Sequence, residues 1–190
     1  MIASAARFVI GGGVIVYPTE TVYGLGANAL DEQAVMRVYQ IKKRPLSQPI
    51  FLAISSFEML NNVADVSEED MDLLKKLLPW PISVLVRRKS LVPDILTAGS
   101  PFVGIRYPDH ETALRIIDSA GPITSTSANR TGSPSPTSIV EVSREIADRV
   151  DAVVDGGKCR YSESSTLLDL ERREIIRKGA GLERVLKAIS

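Results

Sequence analysis

The sequence predicts a single α/β domain over residues 1–190, built on a mixed parallel and antiparallel sheet of about seven strands flanked by helices. Three observations carry this. Short apolar runs alternate with longer amphipathic segments along the chain, as strands and helices do in one sheet-centred domain. The last two such runs are joined by only a few charged residues, so they form an antiparallel hairpin and the sheet cannot be purely parallel. Hydrophobic residues make up 44% and charged residues 24%, the balance of a globular chain that buries a core without staples.

The elements follow in order. Ala3 to Val9 reads as a short helix ended by Gly11, Gly12 and Gly13, and Val14 to Tyr17 as a buried strand. "PTETVYGLG" follows as a loop. Asp31 caps a helix through Lys43, with Ala34, Val35, Val38 and Ile41 on one face, and Pro45 closes it. Ile50 to Ile54 is a second buried strand. Ser67 and Asp70 form a capping box opening a helix to Leu78. Pro79-Trp80-Pro81 breaks the chain before the strand Ile82 to Val86, and Phe102 to Arg106 is another. Glu111 to Ser119 is helical, Pro122 to Ser125 enters a strand end, and residues 126–137 form a polar loop. Ser138 and Glu141 give a second capping box for a helix through Ile146. Val150 to Val154, Thr166 to Leu170 and Glu174 to Arg177 are strands, the last two being the hairpin, and Leu182 to Ile189 is a closing amphipathic helix.

Composition removes several function classes. Lys plus Arg and Asp plus Glu are 23 each, so bulk electrostatics do not drive nucleic-acid coating. One cysteine, Cys159, and one histidine, His110, build neither an internal disulfide nor a Cys/His zinc site, and both are read as incidental. No apolar stretch reaches the roughly 20 residues of a membrane helix, and the N-terminus lacks a signal-peptide core, so cytoplasm is the expected compartment and no membrane partner is expected.

The polar motifs gather at element ends. The glycines of "GGG" (11–13) and "GLG" (24–26) match neither a Walker loop nor a dinucleotide fingerprint, and read as a helix end and a loop needing special backbone angles. "KKRP" puts Lys42, Lys43 and Arg44 at a helix end, where the dipole alone accounts for them. Arg106 ends an apolar strand in "GIRYP", and its planar fork suits a carboxylate or phosphate. "STSAN" (125–129), "SPSPT" (133–137), "ESST" (163–166) and "IIRKGA" with Arg177 add hydroxyls, an amide and a cation. Ligands of α/β sheets sit outside strand ends, so together these segments predict a polyanion pocket. With no carboxylate pair, no Ser-His-Asp set and no metal cluster, its chemistry rests on positioning and charge neutralisation, as in phosphoryl or nucleotidyl transfer.

"YPTETVYGLG", "KKRP", "GIRYP", "STSAN", "SPSPT", "SST" and "IIRKGA" also stand in the order seen in the YrdC/Sua5 family of threonylcarbamoyl-AMP synthases, which the chain resembles from about residue 14 to 180. Its length is similar to that of the short, single-domain members. The resemblance implies a twisted YrdC-like sheet with a central, positively charged cavity. It further implies synthesis of threonylcarbamoyl-AMP and pyrophosphate from L-threonine, bicarbonate and ATP, with Mg2+ carried on the ATP. The product would pass to the t6A transferase complex that modifies tRNA, and tRNA itself is a second candidate partner. By the same resemblance Lys42, Arg44, Ser127 and Asn129 are the catalytic set and also bind ATP, with Gln48, Ser135 and Arg177. Thr21, Arg106, Ser125 and Ser165 bind L-threonine, and the protein supplies no metal ligand. The chain departs from the family pattern at three places. Ala53 stands where some members have a histidine on the threonine side. Pro79-Trp80-Pro81 replaces Pro-Gly-Pro, with Ser83 in place of a threonine. Phe102 replaces a threonine near the ATP.

Two other functions compete. One is a tRNA- or rRNA-binding factor using the same concave surface, disfavoured by zero net charge and the absence of interleaved aromatic and basic residues. The other is carbamoyl transfer of the hydrogenase-maturation type, disfavoured by the missing zinc-finger cysteines.

Overall fold

The computed structural model describes residues 1–189. The chain runs α1 (Ile2–Ile10), β1 (Ile15–Tyr17), β2 (Gly24–Gly26), α2 (Glu32–Lys42), β3 (Phe51–Ala53), α3 (Phe57–Val63), β4 (Ala64–Asp65) and α4 (Glu68–Leu77). It continues through β5 (Ile82–Arg88), α5 (Asp94–Thr97), β6 (Phe102–Arg106), α6 (Glu111–Ala120) and β7 (Ile123–Ser127). After a 3-10 turn at Ile139–Glu141 come α7 (Arg144–Ala147), β8 (Ala152–Val153), β9 (Thr166–Asp169), β10 (Glu174–Arg177) and α8 (Leu182–Ile189).

The α/β class and the mixed sheet are as the sequence predicts. The sheet order is β10-β9-β5-β6-β3-β7-β2-β1-β8, with β4 added beside β5. Strands β1 and β8, β3 and β6, and β5 and β9 pair in parallel, and the other pairs are antiparallel, including the β9–β10 hairpin. Ten strands form among the described residues, not about seven. Two of the extra ones, β2 and β4, are only three and two residues long and carry no alternation for a pattern to detect. Strand β2 is the "GLG" that reads as loop. Glycine disfavours strands, but here the Tyr17 ring and Ile123 press on the β2 backbone, and a Cβ at Gly24 would lie 2.9 Å from the Tyr17 ring.

Several caps form as expected. The Asp31 carboxylate accepts from the Gln33 and Ala34 amides, and Ser67 Oγ accepts from the Asp70 amide at 3.1 Å. The second capping box does not form. Glu141 instead accepts from the Thr137 amide at 2.7 Å and from its hydroxyl, which leaves a 3-10 turn followed by the four-residue α7.

Register assigns every strand side chain to one of two faces. Val16, Leu25, Leu52, Ile105, Val84 and Leu168 lie on one face and pack in the main core beneath α2, α3 and α4. Each such burial is worth about 1.5–3 kcal/mol before entropy is counted. Ile15, Tyr17, Ala53 and Ile123 lie on the other face, where Ala5 and Val9 of α1 and Ala113, Ile116 and Ile117 of α6 cover them. Beyond α1 and α6 that second face is lined by small and polar residues.

Candidate active site

A cavity of about 220 Å³ opens on this second face. Its floor is the sheet, and the space exists because the floor side chains are small: Gly24 on β2, Ser125 and Ser127 on β7, and Ser83 on β5. Phe51 on β3 is the large exception. It fits because its β6 neighbour is Gly104, where an added Cβ would come within 2.2 Å of the ring. Gly104→Ala is therefore expected to force Phe51 into the cavity and cost about 1–3 kcal/mol, read as a thermal midpoint roughly 3–10 °C lower.

The inner end of the cavity is charged yet buried. Arg106, 4% exposed, ends β6 and turns its guanidinium into a shell of acceptors. Nη1 donates to the Ile82 carbonyl at 3.0 Å, to the Tyr107 carbonyl at 3.3 Å and to the Trp80 carbonyl. Nη2 pairs with Oε1 of Glu20, which is 1% exposed. Hydroxyls surround this pair. Ser83 and Ser165 share a hydrogen bond of 2.7 Å, as do Thr19 and Thr21 at 2.9 Å. Arg177 reaches the same group, donating from Nε to the Ser165 carbonyl at 3.1 Å and from Nη2 to its hydroxyl at 3.2 Å. Desolvation and the Arg106 charge lower the Arg177 pKa. Burial pushes the Tyr17 phenol on the same wall up to about 12, so it stays a neutral hydroxyl.

The mouth is built by the end of α2 and the loop after β7. Lys42 is 2% exposed, and its ammonium is spent on that loop. Nζ donates to the Asn129 carbonyl at 2.8 Å, to Asn129 Oδ1 at 3.2 Å and to the Ser127 carbonyl. Desolvation, then the Arg44 charge, pushes its pKa down to about 7, against which three oxygens match the three hydrogens of the ammonium. Ser127 Oγ donates to Asn129 Oδ1 at 2.5 Å, so lysine, serine and asparagine form one knot. Glu145 fastens it from outside, bridging Lys43 at 2.9 Å and Arg130 at 3.1 Å. Arg44 lines the cavity itself, its guanidinium fixed by the Gln48 and Pro49 carbonyls at 3.0 and 2.9 Å.

Of the residues named from sequence, Thr21, Arg44, Arg106, Ser125, Ser127, Ser165 and Arg177 converge on this cavity. Lys42, Asn129, Gln48 and Ser135 are not among its lining side chains. Lys42 and Asn129 brace the wall from behind, Gln48 contributes a carbonyl to Tyr39 and Arg44, and Ser135 lies on the outer loop. Tyr17, Phe51 and Ser164 line the cavity and were not named. Glu20, read from sequence as part of a turn, proves to be the buried partner of Arg106. The signal was available: Glu20 is the sole charge from Phe8 to Leu30, and Arg106 the sole charge from Ile95 to Pro108, so each needs a buried partner.

Cys159 is buried and its thiol is pushed up to about 11, chiefly by desolvation. Because the thiolate is the reactive form, alkylation at pH 8 is expected to run at least tenfold slower on the native than on the denatured chain. Among the described residues no cluster of three His, Cys, Asp or Glu side chains could hold a metal, and no helix is long and apolar enough to cross a membrane.

The comparisons with known proteins meet this geometry. The Sua5/YciO/YrdC family model, described as telomere recombination, matches residues 7–179. The chain belongs to the Sua5/YciO/YrdC family. A Pyrococcus abyssi threonylcarbamoyl-AMP synthase is 42% identical over 87% of this chain, which spans about half of that relative, 49% of its length. A threonylcarbamoyl-AMP synthase of Stutzerimonas stutzeri is 34% identical, with 93% of this chain matched to 96% of the relative. The crystal structure of P. abyssi Sua5 complexed with L-threonine superposes with a TM-score of 0.93 at 40% identity, covering 100% of this chain and 57% of that one. Escherichia coli YciO, at 27% identity and TM-score 0.82, shares the family fold over 94% of this chain.

Proposed function

We propose that this Sua5/YciO/YrdC domain condenses L-threonine, bicarbonate and MgATP into threonylcarbamoyl-AMP, releasing pyrophosphate and water. The observation that carries the reading is the cavity's set of cations: a buried, charge-balanced Arg106 among hydroxyls, with the less buried Arg44 and Arg177 on the same lining. Support comes from the relatives bearing the synthase name and from the Sua5 structure that holds L-threonine.

In this reading the threonine carboxylate meets Arg106, with Thr21, Ser125 and Ser165 around the rest of the amino acid. The half-open cavity of 220 Å³ lies under the ~300–1,000 Å³ typical of drug-sized ligand sites, so the amino acid occupies its buried end and the nucleotide extends out along the open mouth. There Arg44 and Arg177 face the phosphates, while Ser127, Asn129, Gln48 and Ser135 serve the nucleotide from the loop side. Lys42 holds the Ser127–Asn129 turn and adds charge from behind. Mg2+ arrives with ATP on its phosphate oxygens, since the cavity lining offers hydroxyls and guanidiniums but no carboxylate.

The neutral threonine amine adds to the carbon of bicarbonate and one water leaves, carrying an amine hydrogen with it, to give a carbamate. A carbamate oxygen then attacks the α-phosphorus and pyrophosphate departs, which makes the chain a nucleotidyltransferase. The protein's contribution is proximity and cations placed where charge develops. The product would pass in the cytoplasm to the t6A transferase complex, with tRNA as the final acceptor. Incubating the protein with MgATP, bicarbonate and L-threonine should give pyrophosphate and a threonylcarbamoyl-AMP mass, each dependent on all three substrates. Folded protein that gives neither sinks the proposal.

A further inference from the structure

Glu20 has no place in the mechanism above, yet its burial demands a reason. A carboxylate with 1% exposure is costly to keep unless something nearby requires its charge. Its contacts are few. The backbone carbonyl accepts from the Tyr161 amide at 2.9 Å. The side chain pairs with Arg106 through Oε1, and Oε2 has no hydrogen-bond partner among the described residues. A residue held only for loop structure would tie its carboxylate to backbone amides, as Asp31 Oδ1 accepts from the Gln33 and Ala34 amides and Glu141 Oε2 from the Thr137 amide. The polar function of Glu20 is directed at one guanidinium.

Arg106 shows what that contact accomplishes. Three carbonyls occupy Nη1, and Glu20 takes one hydrogen of Nη2. Among the described residues the hydrogens left without a partner are those of Nε and the second of Nη2, the donors Arg106 can offer to a cavity guest. Glu20 thus fixes which donors stay free, and it cancels a buried charge that would otherwise draw in stray anions.

We infer that Glu20 is a positioning residue of the amino-acid subsite: through its ion pair it aims Arg106 and keeps the subsite free of competing anions. This rests on the function proposed above. Glu20→Gln keeps the size and one acceptor but removes the charge. The expected result is a threonine KM raised at least tenfold and rising further with added chloride, with the ATP KM held within twofold. Glu20→Asp, which restores the charge on a shorter stem, should recover part of the threonine KM. A merely structural residue would lower the folded fraction and kcat without moving the threonine KM or creating chloride sensitivity.

A cycle against Arg106→Met removes dependence on the fold of one variant, since Glu20→Gln/Arg106→Met buries no unpaired charge. The double variant should match Arg106→Met in threonine KM within twofold, because Glu20 acts through Arg106. Glu20→Gln with wild-type threonine KM, or an additive double variant, overturns the inference alone. Wild-type protein that neither turns over nor binds L-threonine by calorimetry overturns the functional reading, and this inference with it.

Discussion

Arg106→Ala is expected to raise the threonine KM more than a hundredfold and to lower stability at the same time. The substitution removes the inner cation, and it leaves Glu20 buried with no counter-charge. Breaking a buried pair from one side costs about 3–5 kcal/mol, because the surviving charge keeps its desolvation penalty. A domain of this kind holds roughly 5–15 kcal/mol, so the variant should still fold, with a thermal midpoint roughly 10 °C lower. The ATP KM should change little, since Arg44 and the Lys42 knot are built on α2 and the loop after β7. Steady-state kinetics varying each substrate, together with a thermal melt, checks both halves. A threonine dependence that survives in folded Arg106→Ala would show that the carboxylate binds elsewhere.

Lys42→Met should give the second large effect, on the nucleotide side. The substitution keeps the length of the chain and removes three donors from Ser127 and Asn129. Each lost bond to a charged donor is worth about 1.5–3 kcal/mol, and the orphaned oxygens can partly rehydrate at the cavity mouth. A net loss near 3 kcal/mol is expected in kcat/KM for ATP, a little over a hundredfold, with threonine KM little changed. Arg44→Ala should give a similar ATP defect without loosening the loop, because among the described residues Arg44 bonds to the Gln48 and Pro49 carbonyls beside it and not to that loop. Amide hydrogen exchange at residues 127–131 separates the two: faster exchange in Lys42→Met, unchanged exchange in Arg44→Ala.

The fold was legible where side-chain pattern and chemistry coincide. Helix α2 announces itself through Asp31 and the spacing of Ala34, Val35, Val38 and Ile41, and the structure caps and buries it accordingly. Strand β6 and the β9–β10 hairpin were likewise readable from apolar runs and a short charged link. Strand β2 was not, because its glycines are chosen for what lies above them: Tyr17 needs the room, and no local propensity records that.

The site was partly legible for the same reason. Polar residues at strand ends drew attention to Arg106, Ser125 and Ser165. The cavity itself is a property of register, with Gly24, Ser83, Ser125 and Ser127 set on one face by pairings between distant strands. Lys42 shows the opposite limit. Its place at a helix end is accounted for by the dipole alone, and only the family resemblance turns it toward ATP; no local pattern records that its ammonium bonds the Ser127–Asn129 turn.

A crystal structure of this chain with L-threonine tests the central claim most directly. The account predicts the threonine carboxylate in the cavity, within about 3 Å of Arg106 Nε and Nη2, with Glu20 still paired to Nη2. Threonine bound outside the cavity, or inside it with Arg106 untouched, would contradict the account.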